Sequence, residues 1–416
     1  MGIIIILLPL LIYLIASLSV KKGTIKHPDD YFAAFRKVEQ TEFTSSSIAY
    51  GFQVSTIYPF LFWGASMFLF VPFINAICWG IGIFLFYLSI NRVSKHLNKS
   101  STIHGLLGNA YGEKVRLLAS VLTIIGFIGY IVAELWFGSR VLLSILPNTN
   151  WIYGIVLIFI GFITFYLYRN GQLSSLRTDQ VQLSLTYVGV FGVIIYLLYL
   201  TFSNLYQING ALTYGLLVLS ILTPIILFVR KLKFISFGSL FDKILNVIVV
   251  LSFSCILTFS VIILINNPKS LDLTNFYNIE GFGFAGLISL MILPLGWQFV
   301  DLTNWQRLLA LKDSNLDQNK SLKRGLLDFS IESPFTWLLF LIFGVLISVS
   351  LPNLTFNDIL IDFPKQFISS NLIIENVLGY TFIISIISIM LSTVDSFFMG
   401  ISFSYIYDIN KRTSKA

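Results

Sequence analysis

The chain has 416 residues, of which 56% are hydrophobic and only 11% charged, and its mean hydropathy is +0.84. A soluble protein of this size carries roughly 25% charged residues, so the composition excludes a water-soluble globular fold and puts the chain in a membrane. The net charge of +7 is spread over separate loops rather than gathered in one basic domain, which argues against a nucleic-acid partner.

The apolar residues come in runs of about 20, without the period-two alternation of barrel strands. They predict an all-α polytopic membrane protein of about eleven transmembrane helices. The spans fall at 2–19, 44–70, 72–91, 116–145, 151–168, 180–202, 211–229, 241–266, 282–301, 329–350 and 376–404. The first run has no basic residues at its start and no small-residue cleavage site, so it is expected to be a retained helix. Of the 27 lysines and arginines, all but Arg140, Lys269 and Lys365 fall in loops on one side of this arrangement, Arg307 in the ninth loop among them. By the positive-inside rule the amino terminus is outside the cell membrane and the carboxyl terminus cytoplasmic. His27, His96 and His104 are all expected in cytoplasmic loops, and Cys78 and Cys255 within apolar spans. Neither a zinc site, a disulfide nor a catalytic constellation has its parts, so no enzymatic activity is expected.

Span two carries "YPFLFWG" at 58–64. Pro59 has no amide proton for the carbonyl of Ser55, and a freed carbonyl inside a membrane must face protein, water or an ion. Span nine reads "LMILPLGWQFVDLTNWQR", with Pro294 and Gly296 near mid-depth, and Pro294 frees the carbonyl of Leu290 in the same way. Two interrupted spans, one in each half of the chain, point to a secondary-transporter binding site between inverted repeats. Span eleven adds oxygen: Ser385, Ser388, Ser392 and Ser396 form a hydroxyl stripe, with Thr393 and Asp395 beside them. Serines of this kind also bond the preceding turn, but a carboxylate within a span is a functional-site candidate by default.

These segments resemble the sodium:solute symporter family. "DDYFAAFRK" (29–37) is similar to its DYFLAGR segment, "YGEKVRLLASVLTIIGFIGYIVAELWFGS" (111–139) to its third core helix, and "GQLSSLRTDQVQ" (171–182) to its GGL-x-AV-x-WTD-x-x-Q stretch. "WQRLLALKD" (305–313) matches its QRxLAAKD run, and "IMLSTVDS" (389–396) its MSTADS signature. The resemblance implies a LeuT-type core of five-plus-five inverted repeats behind a leading helix. It implies one sodium shell built from the carbonyls of Gly51, Val54 and Ile389 and the hydroxyls of Ser392 and Thr393. The second sodium site of the sialic acid carriers would fall on Asp179, Ser392, Asp395 and Ser396, with Asp395 standing where a hydroxyl ligand is usual. Asp179 also suits the first turn of span six as a partner of the helix dipole.

The solute cavity is expected between spans two, four, nine and eleven. The resemblance puts Tyr58 where the sugar carriers have a substrate-contacting glutamine and Trp297 at an aromatic gate, with Gln53, Glu134, Gln298 and Asp301 as further candidates. Glu134 could pair with a cationic substrate or a proton, or be balanced by Arg140 near the outer interface. The chain departs from the family in an inserted helix pair at about 205–270, in Arg177 at the usual tryptophan of WTD, and in ending where the eighth core helix would. One transporter domain, 1–416, is expected: a leading helix 1–19, a first repeat 44–202, the inserted pair, and a partial second repeat 282–404. The implied activity is sodium-coupled symport of a small organic solute (amino acid, sugar or carboxylate), with sodium as the coupling ion and lipids as surroundings. A transport-incompetent sensor or complex subunit is the second reading.

Overall fold

A computed structural model describes residues 2–20, 25–34, 38–97, 102–146, 150–205, 283–311, 318–351, 354 and 358–410. Spans seven and eight, at 211–229 and 241–266, lie outside the described residues. Among those described the protein is helical, and the one pairing of extended chain is a parallel bridge between Val38 and Leu311.

The chain opens with α1 (Gly2–Leu18) and the short α2 (Pro28–Phe32). Span two is two helices, α3 (Gln40–Gly51) and α4 (Val54–Ala65), joined by Phe52 and Gln53 in extended conformation. There follow α5 (Phe70–Leu97), α6 (Ile103–Tyr111), α7 (Glu113–Arg140), α8 (Asn150–Asn170) and α9 (Gln172–Thr186). A π-helical turn, Tyr187–Phe191, carries α9 into α10 (Gly192–Leu205). After the gap come α11 (Gly283–Val300) and α12 (Leu302–Ala310), α13 (Gln318–Ser350), α14 (Ile359–Ile368) and α15 (Ile373–Ser404).

Six helical stretches among the described residues are long and apolar enough to cross a membrane, and α15 is largely enclosed by the others. This is an all-α polytopic membrane protein. Span two falls short of a membrane's thickness as a single helix because it is broken, whereas α11 covers span nine in 18 residues and α1 is 17 residues long.

The breaks do not sit at the prolines. Pro59 lies inside α4 and Pro294 inside α11, and both helices run through them. The interruptions are at Phe52–Gln53 and at Asp301, whose backbone is extended. A proline removes one donor and bends a helix, and the bend persists when the freed carbonyl finds another partner. At Pro294 that partner is Asn75 of α5, whose amide donates to the Leu290 carbonyl at 2.6 Å.

Glycine sets the spacing of α4 and α13. A Cβ on Gly64 would lie 2.0 Å from the Leu341 carbonyl oxygen, and one on Gly344 would lie 2.1 Å from that of Leu61. In lipid, where no hydrophobic force drives helices together, such backbone approach is a main source of adhesion. His104 departs from the loop position expected of it. It sits buried on α6, bonded to Asp408 at 2.8 Å and Thr123 at 3.0 Å.

Candidate functional site

The break between α3 and α4 interrupts the helical ladder, with the Phe52 amide turning back to Ala49 at 3.0 Å, so the carbonyls around it take further donors from elsewhere. Four are met by side chains. Gln182 of α9 donates to Ala49 at 3.2 Å, Gln53 to Tyr50 at 3.4 Å, Trp337 of α13 to Gly51 at 2.8 Å, and Thr393 of α15 to Phe52 at 3.2 Å. The break is thus a meeting point of three other helices. Of the sodium candidates, the structure brings Thr393 against it, with Ser392 and Ile389 buried on the same helix. Gly51 gives one carbonyl lone pair to Trp337, and the Phe52 carbonyl, which the motifs did not single out, is the one Thr393 reaches.

Behind the break lies a polar core that α15 shares with α3, α8, α9 and α12. Asp179 accepts hydrogen bonds from Ser46 and Ser392. Asp395 accepts from Tyr166 at 2.5 Å, Ser175 at 2.7 Å and Thr178 at 2.9 Å, and Ser396 leans on it at 3.4 Å. Arg307 joins the two acids. It bonds Ser46 at 2.8 Å and Ser396 at 2.9 Å, lies 3.6 Å from Asp179, and stacks its guanidinium over Tyr50 at 4.4 Å. Asp179, Asp395, Ser392 and Ser396 therefore share one enclosure, and Arg307 is buried within it rather than in a loop. Placing a basic residue from loop statistics failed here because α12 is half of a broken span, so its last turn ends inside the protein.

Each half-helix that begins at a break has a carboxylate on its first turn. Glu134 of α7 accepts from the amides of Val54 and Ser55, both at 2.9 Å, and from the Ser55 hydroxyl. Asp301 caps α12, taking the Thr303 amide at 2.9 Å and hydroxyl at 2.8 Å, and the Trp297 indole at 3.1 Å. A negative group at a helix N-terminus satisfies orphan amides and opposes the positive end of the helix dipole. Arg140 is not the partner of Glu134. It pairs with Asp358, the N-cap of α14.

A cavity of about 280 Å³ opens beside the break, between α4, α5, α7, α11 and α13. Phe60, Trp63, Trp79, Tyr130, Trp297 and Trp337 make its aromatic wall, and Gln53, Ser55, Thr56 and Asn75 its polar one. Gln53 and Trp297 thus lie on it, and Trp297 packs against Tyr130 with ring centroids 5.2 Å apart. The other solute candidates do not. Tyr58 stacks on Phe137 at 4.9 Å, on the α7 side of α4. Glu134 and Asp301 stand behind the wall, and Gln298 is buried and takes the Asn304 amide at 2.7 Å. Nor does α15 line the cavity as expected. Trp79 and Trp337, stacked at 4.6 Å, stand on the wall from α5 and α13 instead.

Sequence reasoning passed over Ser46, Tyr166, Ser175, Thr178 and Arg307. The last was visible as the arginine of WQRLLALKD, and Ser175 and Thr178 lie inside GQLSSLRTDQVQ. Ser46 and Tyr166 left no signal, since serine and tyrosine are ordinary in apolar spans.

No family model matches the sequence, and no curated protein matches it. Among solved structures the chain is similar to a Na+-coupled sialic acid symporter in a substrate-bound outward-open state. The TM-score is 0.65 at 16% identity, over 100% of this chain and 76% of that one. The chain shares the fold of that structure. At that identity the likeness shows the fold alone and leaves the chemistry to be argued from the chain's own residues.

Proposed function

We propose that this protein is a secondary active transporter that couples sodium entry to uptake of a small organic solute across the cell membrane. One observation carries the reading. On α15 the hydroxyl of Thr393 meets the Phe52 carbonyl of the α3–α4 break and that of the adjacent Ser392 meets the carboxylate of Asp179, all of them buried. The donor set fits sodium, since hard cations take carbonyl, hydroxyl and carboxylate oxygen. Asp179 and Asp395 together bring two buried carboxyls against the single guanidinium of Arg307, and a site of this kind is satisfied by taking up a cation or a proton.

The sodium shell on this reading draws on Gly51, Val54 and Ile389 with Ser392 and Thr393. Asp179, Asp395 and Ser396 form a second cation position beside it. The amino terminus is outside and the carboxyl terminus cytoplasmic. The inverted-repeat halves 44–202 and 282–404, with the pair at 205–270 between them, alternate access to the cavity, and Trp297 with Tyr130 forms one gate. Because Thr393 ties the ion pocket to the same break that borders the cavity, cation binding stiffens the cavity's edge, and solute and ion favour one conformation together.

The test is thermal stability of the purified protein in sodium against potassium at constant ionic strength. A ligand at 100 times its Kd adds about 2.7 kcal/mol to the folded state, so a sodium-specific rise in Tm is expected. Identical melting in the two salts overturns the sodium assignment.

A further inference from the structure

We propose that the leading helix α1 is a positioning element of the polar core, its Tyr13 and Ser17 keeping in register the hydroxyls that serve Asp395. The inference rests on the reading of Asp395 as part of a cation position. On one side of α1, Ile4, Leu7, Leu11, Ile15 and Leu18 are exposed, as lipid-facing residues are. On the other, Ile6, Leu10, Tyr13 and Ser17 recur at spacings of three and four and are buried, Tyr13 completely. Helices in lipid adhere by close packing, for which apolar side chains suffice. A hydroxyl sunk in such an interface costs free energy unless it is bonded. Both of these hydroxyls are bonded, each to a helix that carries the polar core.

The Tyr13 hydroxyl donates to the Ser388 carbonyl of α15 at 2.6 Å. In a helical ladder that carbonyl belongs to the amide of Ser392, four residues on, so the bond grips α15 at the turn leading into Ser392, Thr393 and Asp395. The Tyr13 ring meets that of Tyr166 on α8 edge to face, with centroids 6.5 Å apart, and Tyr166 is the donor that reaches Asp395 at 2.5 Å. One turn along α1, the Ser17 and Ser174 hydroxyls are hydrogen-bonded at 3.0 Å. Ser174 belongs to the turn of α9 whose Ser175 and Thr178 also donate to Asp395. Thr178 has one hydroxyl proton and three acceptors in reach: the carbonyls of Ser174 at 3.1 Å and Ser175 at 2.8 Å, and Asp395 at 2.9 Å. The placing of the Ser174–Ser175 turn decides which of them receives it.

Tyr13 and Ser17 are positioning residues, each acting through another side chain or backbone group. Partners behind a ligating carboxylate fix where its lone pairs point, and losing one typically costs about 10- to 100-fold in ion affinity. Tyr166, Ser175 and Thr178 are partners of that kind for Asp395. Helix α1 stands one step further out, so the loss of either of its hydroxyls costs less. The leading helix thus sets how firmly the second cation position is held, from the lipid side of the bundle.

The test uses the purified full chain, with sodium titrated against potassium at constant ionic strength and Tm as the readout. Tyr13→Phe keeps the ring on Tyr166 and removes only the hydroxyl; it should raise the half-stabilising sodium concentration by about 5-fold, below the loss typical of a direct partner. Ser17→Ala should shift it the same way, and Ser17→Thr, which keeps a hydroxyl, should restore it. Leu10→Val, in the same buried stripe, should lower Tm equally in both salts and leave the sodium midpoint alone. A wild-type midpoint in both Tyr13→Phe and Ser17→Ala, or an equal shift in Leu10→Val, overturns the inference; Ser17→Ala carries the test if Tyr13→Phe does not fold. A second arm needs no sodium. In potassium, the fall in Tm caused by Tyr13→Phe should be smaller when Asp395→Asn is already present, because the two act through one network. Additive effects overturn the positioning role whatever sodium does. Wild-type protein that melts alike in both salts sinks the sodium reading instead, and a non-additive pair then upholds the role of α1 without it.

Discussion

Nη2 of Arg307 lies 3.6 Å from Oδ2 of Asp179, and neither side chain is more than 1% exposed. A buried pair of this kind contributes little net stability over a well-packed apolar pair, yet removing one partner strands the other and costs about 3–5 kcal/mol. Arg307→Gln is expected to lower stability by that amount in thermal melts, and added sodium to recover part of it. Asp179→Asn combined with Arg307→Gln should be less damaging than the sum of the two. Strict additivity would mean that the residues do not act as a pair.

Ser392→Ala with Thr393→Ala removes two hydroxyls from the proposed ion pocket. The sodium-dependent rise in Tm should vanish while melting in potassium changes by about 1–3 kcal/mol, the cost of partners left unsatisfied. Thr393→Ser, which keeps the hydroxyl on Phe52, should retain the sodium response. A wild-type sodium response in the double alanine variant would falsify the assignment of these two residues.

Asp395 holds Tyr166, Ser175 and Thr178 in place. Asp395→Asn keeps the shape and removes the charge, so it should lower the number of sodium ions bound per chain, read as the Hill coefficient of the stabilisation curve. An unchanged Hill coefficient would place the second cation elsewhere.

Gly64→Ala tests the contact between α4 and α13. Its Cβ meets backbone at 2.0 Å, and overpacking costs about 1–3 kcal/mol. Gly126→Ala is the control, because a Cβ there meets nothing within 4 Å, and helix propensity alone favours alanine by about 0.8–1.0 kcal/mol. Equal effects at the two sites would show that the helices do not touch there.

Outside the spans, burial pushes the Asp358 carboxyl above the ordinary carboxylate range, against the pull of Arg140. A carboxyl whose folded pKa exceeds its unfolded one binds its proton more tightly when folded. Its contribution is therefore fullest below the unfolded value of about 3.9 and is lost as pH rises through the folded pKa. Replacing Asp358 with Asn should flatten that part of the pH–stability curve, and an unaltered curve would show that the ion pair with Arg140 fully offsets the burial.

The fold was legible because lipid imposes a strong pattern: runs such as 116–145 and 376–404 can only be helices. The breaks were legible to within a few residues and misplaced for one reason. Pro59 and Pro294 are conspicuous in sequence, but Asn75 can take up the carbonyl that Pro294 frees, a long-range bond no local pattern reveals. The true break at Phe52–Gln53 carries only Gly51 before it and no proline, and its carbonyls are met by Trp337 and Thr393, which lie hundreds of positions away. For the same reason the MSTADS-like residues could be picked out by type as members of a buried polar group, while Ser46 and Tyr166, ordinary residues made polar neighbours only by packing, could not.

The bridge between Val38 and Leu311 joins the chain just before α3 to the chain just after α12, with the Val38 amide donating to the Ala310 carbonyl at 3.0 Å. α3 ends and α12 begins at a break, and Val38, Phe43, Leu308 and Leu311 pack in one small apolar cluster around the join. Since the clasp is a backbone hydrogen bond, proline at 38 is the exchange that would remove its donor. The clasp ties α3 and α12 together at the ends that face away from their breaks.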